Sequence, residues 1–64
     1  MNSETVSTPP TILVAEDEAL MLKMLTHRLQ KEGYHVVTAT DGKQALDSLR
    51  ASAPDLVITD LMMP

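Results

Sequence analysis

Ile12-Leu13-Val14-Ala15-Glu16-Asp17-Glu18, or ILVAEDE, changes character at a single peptide bond: four apolar residues give way to three acids. An apolar run that short suits a strand buried on both faces, the pattern of a parallel sheet covered by helices. From Ala19 to Glu32 the period changes. Leu22, Leu25 and Leu29 recur at i, i+3 and i+7, flanked by Met21 and Met24, while Lys23, Thr26, Gln30 and Lys31 are polar. This spacing predicts an amphipathic helix, with the two methionines packing in or beside the core. Its acidic start complements the positive end of the helix dipole, Lys31 lies in the last turn, and Gly33 supplies a left-handed exit.

Outward from that unit the alternation repeats. Tyr34 to Thr40 centres on Val36, Val37 and Thr38, a second short strand by β-branching. Asp41 then stands as a helix cap, with Gln44 three positions on as its reciprocal partner. Ala45, Leu46 and Leu49 form the apolar stripe of this second helix. Pro54 restricts Ala53 and stops the helix before a third apolar run, Leu56, Val57, Ile58 and Thr59, which ends at Asp60. The order strand, helix, strand, helix, strand, with short connections, predicts an α/β fold. Its sheet would be parallel and three-stranded, in the order 2-1-3, with one helix on each face. Met1 to Pro10 is polar and closed by two prolines, so it is expected to be a flexible tail, leaving residues 11–64 as one compact unit.

Composition limits what this unit does. A chain of 64 residues holds one small domain, and 44% hydrophobic with 22% charged residues is the make-up of a folded segment. Nine acids against five basic residues give a net charge of −4, which argues against direct contact with nucleic acid. There is no cysteine for a disulfide or a thiolate metal site, and no apolar run approaches the ~20 residues that cross a bilayer. The first ten residues have neither the basic start nor the apolar stretch of a secretory signal, so a cytoplasmic location is expected.

In a parallel sheet the chemistry gathers at the carboxyl ends of the strands. With strand one central, Glu16, Asp17 and Asp60 would leave adjacent strands at the same rim. Such a carboxylate cluster is costly unless a cation compensates it, and oxygen-only ligands select a hard ion, here Mg²⁺. A carboxylate beside Mg²⁺ can attack a phosphoryl group, and Asp60 would be that nucleophile. The competing reading is structural: Glu16, Asp17 and Glu18 cap the first helix and complement its dipole. His27 and His35 lack partners at metal-like spacing and are assigned to the surface, and Asp47 and Asp55 are expected to be solvated. A nucleotide-binding enzyme is disfavoured because acids follow strand one where a glycine-rich phosphate cradle is needed.

ILVAEDE, the Gly33-Tyr34 exit, ATDGKQAL (39–46) and PDLVITDLMMP (54–64) together resemble the first half of a response-regulator receiver domain, a flavodoxin-like doubly wound fold of two-component signalling. The resemblance covers Thr11 to Pro64 and is most specific at strand three, where Asp60 is followed by Met63-Pro64. It implies that Asp60 accepts a phosphoryl group from a sensor histidine kinase or phosphotransfer protein. It further implies that Asp17 holds Mg²⁺, that Glu16 completes the acid pair through a metal-bound water, and that the backbone carbonyl of Met62 is a further ligand. Glu18 matches the usual acid there without a direct metal role, and Glu16 stands where Asp is common. On this reading the chain is a phosphoacceptor and not an enzyme in its own right.

The family fold has five strands and five helices, and this sequence carries three strands and two helices. Absent from it are the hydroxyl residue after strand four and the lysine after strand five that contact the phosphoryl oxygens in the family, so normal switching is not expected from these residues alone. The alternative function is then a phosphorylation-independent self-association or protein-interaction module. The apolar LVIT edge and the half-covered sheet faces predict a homodimer or higher assembly through strand three.

Overall fold

A computed structural model describes residues 9–59. Ile12, Leu13, Val14 and Ala15 are the most deeply buried run in it, and they owe this to their place in the sheet. They form β1 (Thr11–Ala15), followed by α1 (Ala19–Lys31), β2 (His35–Ala39), α2 (Gly42–Ser52) and β3 (Leu56–Thr59). The sheet order is β2-β1-β3 and both pairings are parallel, as the 2-1-3 expectation requires. Ala15 stands opposite Ala39 on one side and Thr59 on the other, so all three strands end level.

Side chains alternate across a strand, which divides the sheet residues between two faces. Leu13 and Ala15 gather with Ala39, Val37 and the α2 residue Ala45 on one face. On the other, α1 lies against β2, where Leu22 and Thr26 line a groove with Thr38 and Thr40. One helix therefore covers each face. No residue of either helix is fully buried.

Local chemistry explains where the helices begin and end. Glu18 is extended and its side chain accepts the Met21 N–H at 2.8 Å, which caps α1. At the other end Gly33 takes φ 97, its N–H donates to Gln30 and the Tyr34 N–H donates to Leu29, the paired bonds of a Schellman motif. Asp41 Oδ1 accepts the Gln44 N–H at 2.8 Å, capping α2. The reciprocal bond lands one residue earlier than expected: Gln44 Oε1 accepts both the N–H and the hydroxyl of Thr40 at 2.9 Å. α2 ends at Ala53, a non-glycine residue held left-handed at φ 45 just before Pro54.

Three expectations need correction. Met21 and Met24 are exposed, not packed in the core. They lie one residue off the half-buried stripe of Leu22, Leu25 and Leu29, which is about 100° around the helix at 3.6 residues per turn. Leu46 and Leu49 are also largely exposed, because α2 meets the sheet mainly through the small side chain of Ala45. Asp55 is exposed but not merely solvated, since its carboxylate accepts the Thr11 N–H at 2.8 Å. Of the expected tail, residues 1–8 lie outside the described residues, and the Pro10 carbonyl already accepts the His35 N–H at 3.0 Å.

Candidate functional site

The rim where the three strands end carries the acids. Glu16 continues the β1 ladder by one residue, its N–H donating to the Ala39 carbonyl at 3.0 Å. This holds the residue in the sheet, and it is 8% exposed. Its Oε2 turns back to accept the Glu18 N–H at 3.1 Å. Asp17, by contrast, is exposed, and so is Glu18, whose carboxylate is engaged by the Met21 N–H. The three consecutive acids thus have three surroundings. Glu18 performs the capping role, Glu16 braces the turn from inside, and Asp17 has no hydrogen-bond partner for its side chain among the described residues.

Capping accounts for Glu18, but it leaves the burial of Glu16 without a compensating cation. The one ion pair among the described residues, Lys43 with Asp47 at 3.4 Å, lies on the α2 surface. Removing a carboxylate from water is unfavourable unless charge or hydrogen bonds compensate it, and a single backbone N–H does so only in part. Among the described residues the charged donors at this rim are carboxylate oxygens, which fits a hard divalent ion and not a thiophilic one. Glu16 and Asp17 supply two such groups, and no cluster of three or more ligand-type side chains exists among the described residues. Two of the expected site residues, Asp60 and Met62, lie outside the described residues. His27 and His35 are exposed, in keeping with their assignment to the surface.

One residue with a role at the far end of the sheet escaped the sequence reading. Asp55 exchanges two hydrogen bonds with Thr11: its N–H donates to the Thr11 carbonyl at 2.8 Å, and its Oδ2 accepts the Thr11 N–H at 2.8 Å. The available signal was an acid directly ahead of an apolar run. Among the described residues no helix is long and apolar enough to cross a membrane.

Comparison with known proteins matches the sequence and the fold to one family. Residues 12–64 match the response regulator receiver domain. The chain is 46% identical over 59 residues to the probable transcriptional regulator ycf27 of Guillardia theta, covering 92% of this chain and 23% of that protein. It is 42% identical over 53 residues to the alkaline phosphatase synthesis transcriptional regulatory protein PhoP of Bacillus subtilis, covering 83% of this chain and 22% of that one. Among solved structures, the chemotaxis response regulator CheY4 of Vibrio cholerae superposes with a TM-score of 0.85 at 37% identity, over 89% of this chain and 48% of that structure. The chain spans less than a quarter of those two curated relatives and about half of that receiver structure. By its sheet order, its acidic rim and a match that runs from β1 to its last residue, this chain belongs to the response regulator receiver domains of two-component systems.

Proposed function

We propose that the chain is a phosphoacceptor in which Asp60 receives a phosphoryl group from a sensor histidine kinase or a phosphotransfer protein. The observation that carries this is the β1–β3 register. Thr59 stands opposite Ala15, so β3 ends at the rim where Glu16 and Asp17 follow β1. A carboxylate oxygen of Asp60 attacks phosphorus and forms the O–P bond of an acyl phosphate. The N–P bond to the donor histidine breaks as this happens, and its electron pair returns to the imidazole.

Glu16, Asp17, Asp60 and the backbone carbonyl of Met62 are the groups that would hold Mg²⁺. When bound, that ion neutralises charge on the transferring oxygens. Glu16 is already braced by the Glu18 N–H, so its carboxylate needs little reorganisation to serve such a site. The expected location is the cytoplasm, and the lead-in up to residue 10 is read as a tail that meets the sheet at Pro10, whose carbonyl accepts the His35 N–H.

Acetyl phosphate with Mg²⁺ tests this reading. Mass spectrometry should find one added phosphoryl group on Asp60, absent in Asp60→Asn and absent without the metal. A parent chain that takes up neither phosphate nor beryllofluoride refutes the phosphoacceptor reading.

A second reading rests on the other edge of β3. Leu56 is 53% exposed and Val57 40%, and among the described residues β3 pairs only with β1. An apolar strand with unpaired backbone groups is a template for pairing, which supports self-association through β3 independent of phosphorylation. Light-scattering mass at micromolar concentration decides it, and a cooperative folded monomer rules it out.

A further inference from the structure

We propose that Asp55 is a positioning residue that sets the register of β3 on β1 and so determines where the phosphoacceptor carboxylate starts. The function side of this inference rests on the phosphoacceptor reading of Asp60, and the geometry rests on hydrogen bonds within the described residues.

Hydrophobic patterning alone discriminates poorly between registers here. Register is well specified where a one-residue slip would exchange an apolar face for a polar one. Ile12 to Ala15 and Leu56 to Ile58 are apolar on both faces, so a slip of β3 exchanges one apolar set for another. Something outside the strands' own alternation has to select the pairing of Ile12 with Leu56.

The Asp55–Thr11 link has that selectivity. It sits one pair ahead of Ile12 and Leu56, and it uses both backbone groups of Thr11 together with a side-chain acceptor. Neither chain neighbour of Thr11 can replace it. Pro10 has no N–H to donate. Backbone groups along a strand alternate between its two neighbours, and the Pro10 carbonyl and the Glu16 N–H both turn toward β2. Ile12 shares their parity, so its N–H also faces β2. The carboxylate therefore loses its donor on a one-residue slip in either direction.

The consequence reaches the opposite rim. A one-residue slip displaces the end of β3 by about 3.3 Å and turns the next side chain to the other face of the sheet. Mg²⁺ requires near-octahedral oxygens at about 2.0–2.1 Å, a tolerance far smaller than that displacement. A bond at the amino end of the sheet thus controls whether the residue after Thr59 can share an ion with Glu16 and Asp17.

The test compares Asp55→Ala with Asp55→Asn in the 64-residue chain, because Asn keeps an oxygen acceptor while losing the charge. One arm reads register by NMR, from the interstrand contacts of Leu13 with Val57 and the exchange protection of the Thr11 N–H. The other arm reads the initial rate of Mg²⁺-dependent labelling of Asp60 by acetyl phosphate. Asp41→Ala serves as the control, since it weakens the fold at the α2 cap without touching β3. We expect Asp55→Ala to lose Thr11 protection and to label about tenfold more slowly or worse, as misplacement by an ångström or more does. Asp55→Asn should stay close to the parent in both arms. Should Asp55→Ala fail to fold, Thr11→Pro removes the same hydrogen bond from its donor side and is read in its place by the Leu13–Val57 contacts and the labelling rate. The proposal is overturned if the variant keeps the parent register and rate, if Asn fails to rescue, or if the control slows labelling as much. A parent chain that is not labelled at all refutes the phosphoacceptor reading instead, and the NMR arm then still decides the register.

Discussion

Leu13→Ala should separate the centre of this sheet from its edge. Leu13 is fully buried between β2 and β3, with Val37 and Val57 as its register partners, and it packs in the cluster with Ala39 and Ala45. The substitution removes three carbons, or roughly 2.4 kcal/mol of transfer free energy at about 0.8 kcal/mol per methylene. The residual cavity adds to this, but the face is open beside Val57, so partial collapse keeps the total near 3 kcal/mol. Val57→Ala is the internal reference. Val57 is 40% exposed and loses two carbons, so it should cost about 1 kcal/mol. Urea unfolding followed by far-UV circular dichroism measures both, and equal m-values would show that the same transition is compared. Equal losses for the two variants would refute the placement of β1 at the centre.

Ala53→Gly should stabilise the chain by roughly 0.5–1 kcal/mol, because glycine relieves the left-handed φ of 45 while adding some unfolded-state entropy; a lower melting temperature would contradict this. Asp41→Ala should cost about 1 kcal/mol through loss of the bond to the Gln44 N–H, whereas Asp41→Asn should be nearly neutral, both read by thermal unfolding. Glu16→Gln keeps an acceptor for the Glu18 N–H and loses the charge. Titration calorimetry should therefore find Mg²⁺ affinity reduced by about tenfold or more, with the circular dichroism spectrum unchanged; unaltered Mg²⁺ binding would remove Glu16 from the site.

The parts of the fold that were legible beforehand were those written in local chemistry. The switch from an apolar run to period 3.6 at Ala19, the Gly33 exit and the Asp41 cap all depend on residues within a turn of one another, and each element appears where that chemistry places it. What was not legible depends on distance or on small rotations. Nothing in ILVAEDE distinguishes the buried Glu16 from the exposed Asp17, because that difference comes from a ladder bond to Ala39 on another strand. Met21 and Leu22 are adjacent in sequence and similar in character, and only the position of the sheet decides which is covered. The Asp55–Thr11 pair spans 44 positions, beyond the reach of any local motif.

The strand at the middle of the sheet is also the first to be synthesised. Of the three strands β1 leaves the ribosome first and β2 follows within one helix, but the second flank is completed only when β3 emerges, its last residue Thr59 lying 48 positions behind Thr11. At translation rates of about 5–20 residues per second, the most apolar run of the chain waits on the order of several seconds with one side unpaired. Nascent chains stalled before Leu56 should accordingly be the forms most prone to chaperone capture, and those stalled beyond Thr59 the first able to close the sheet.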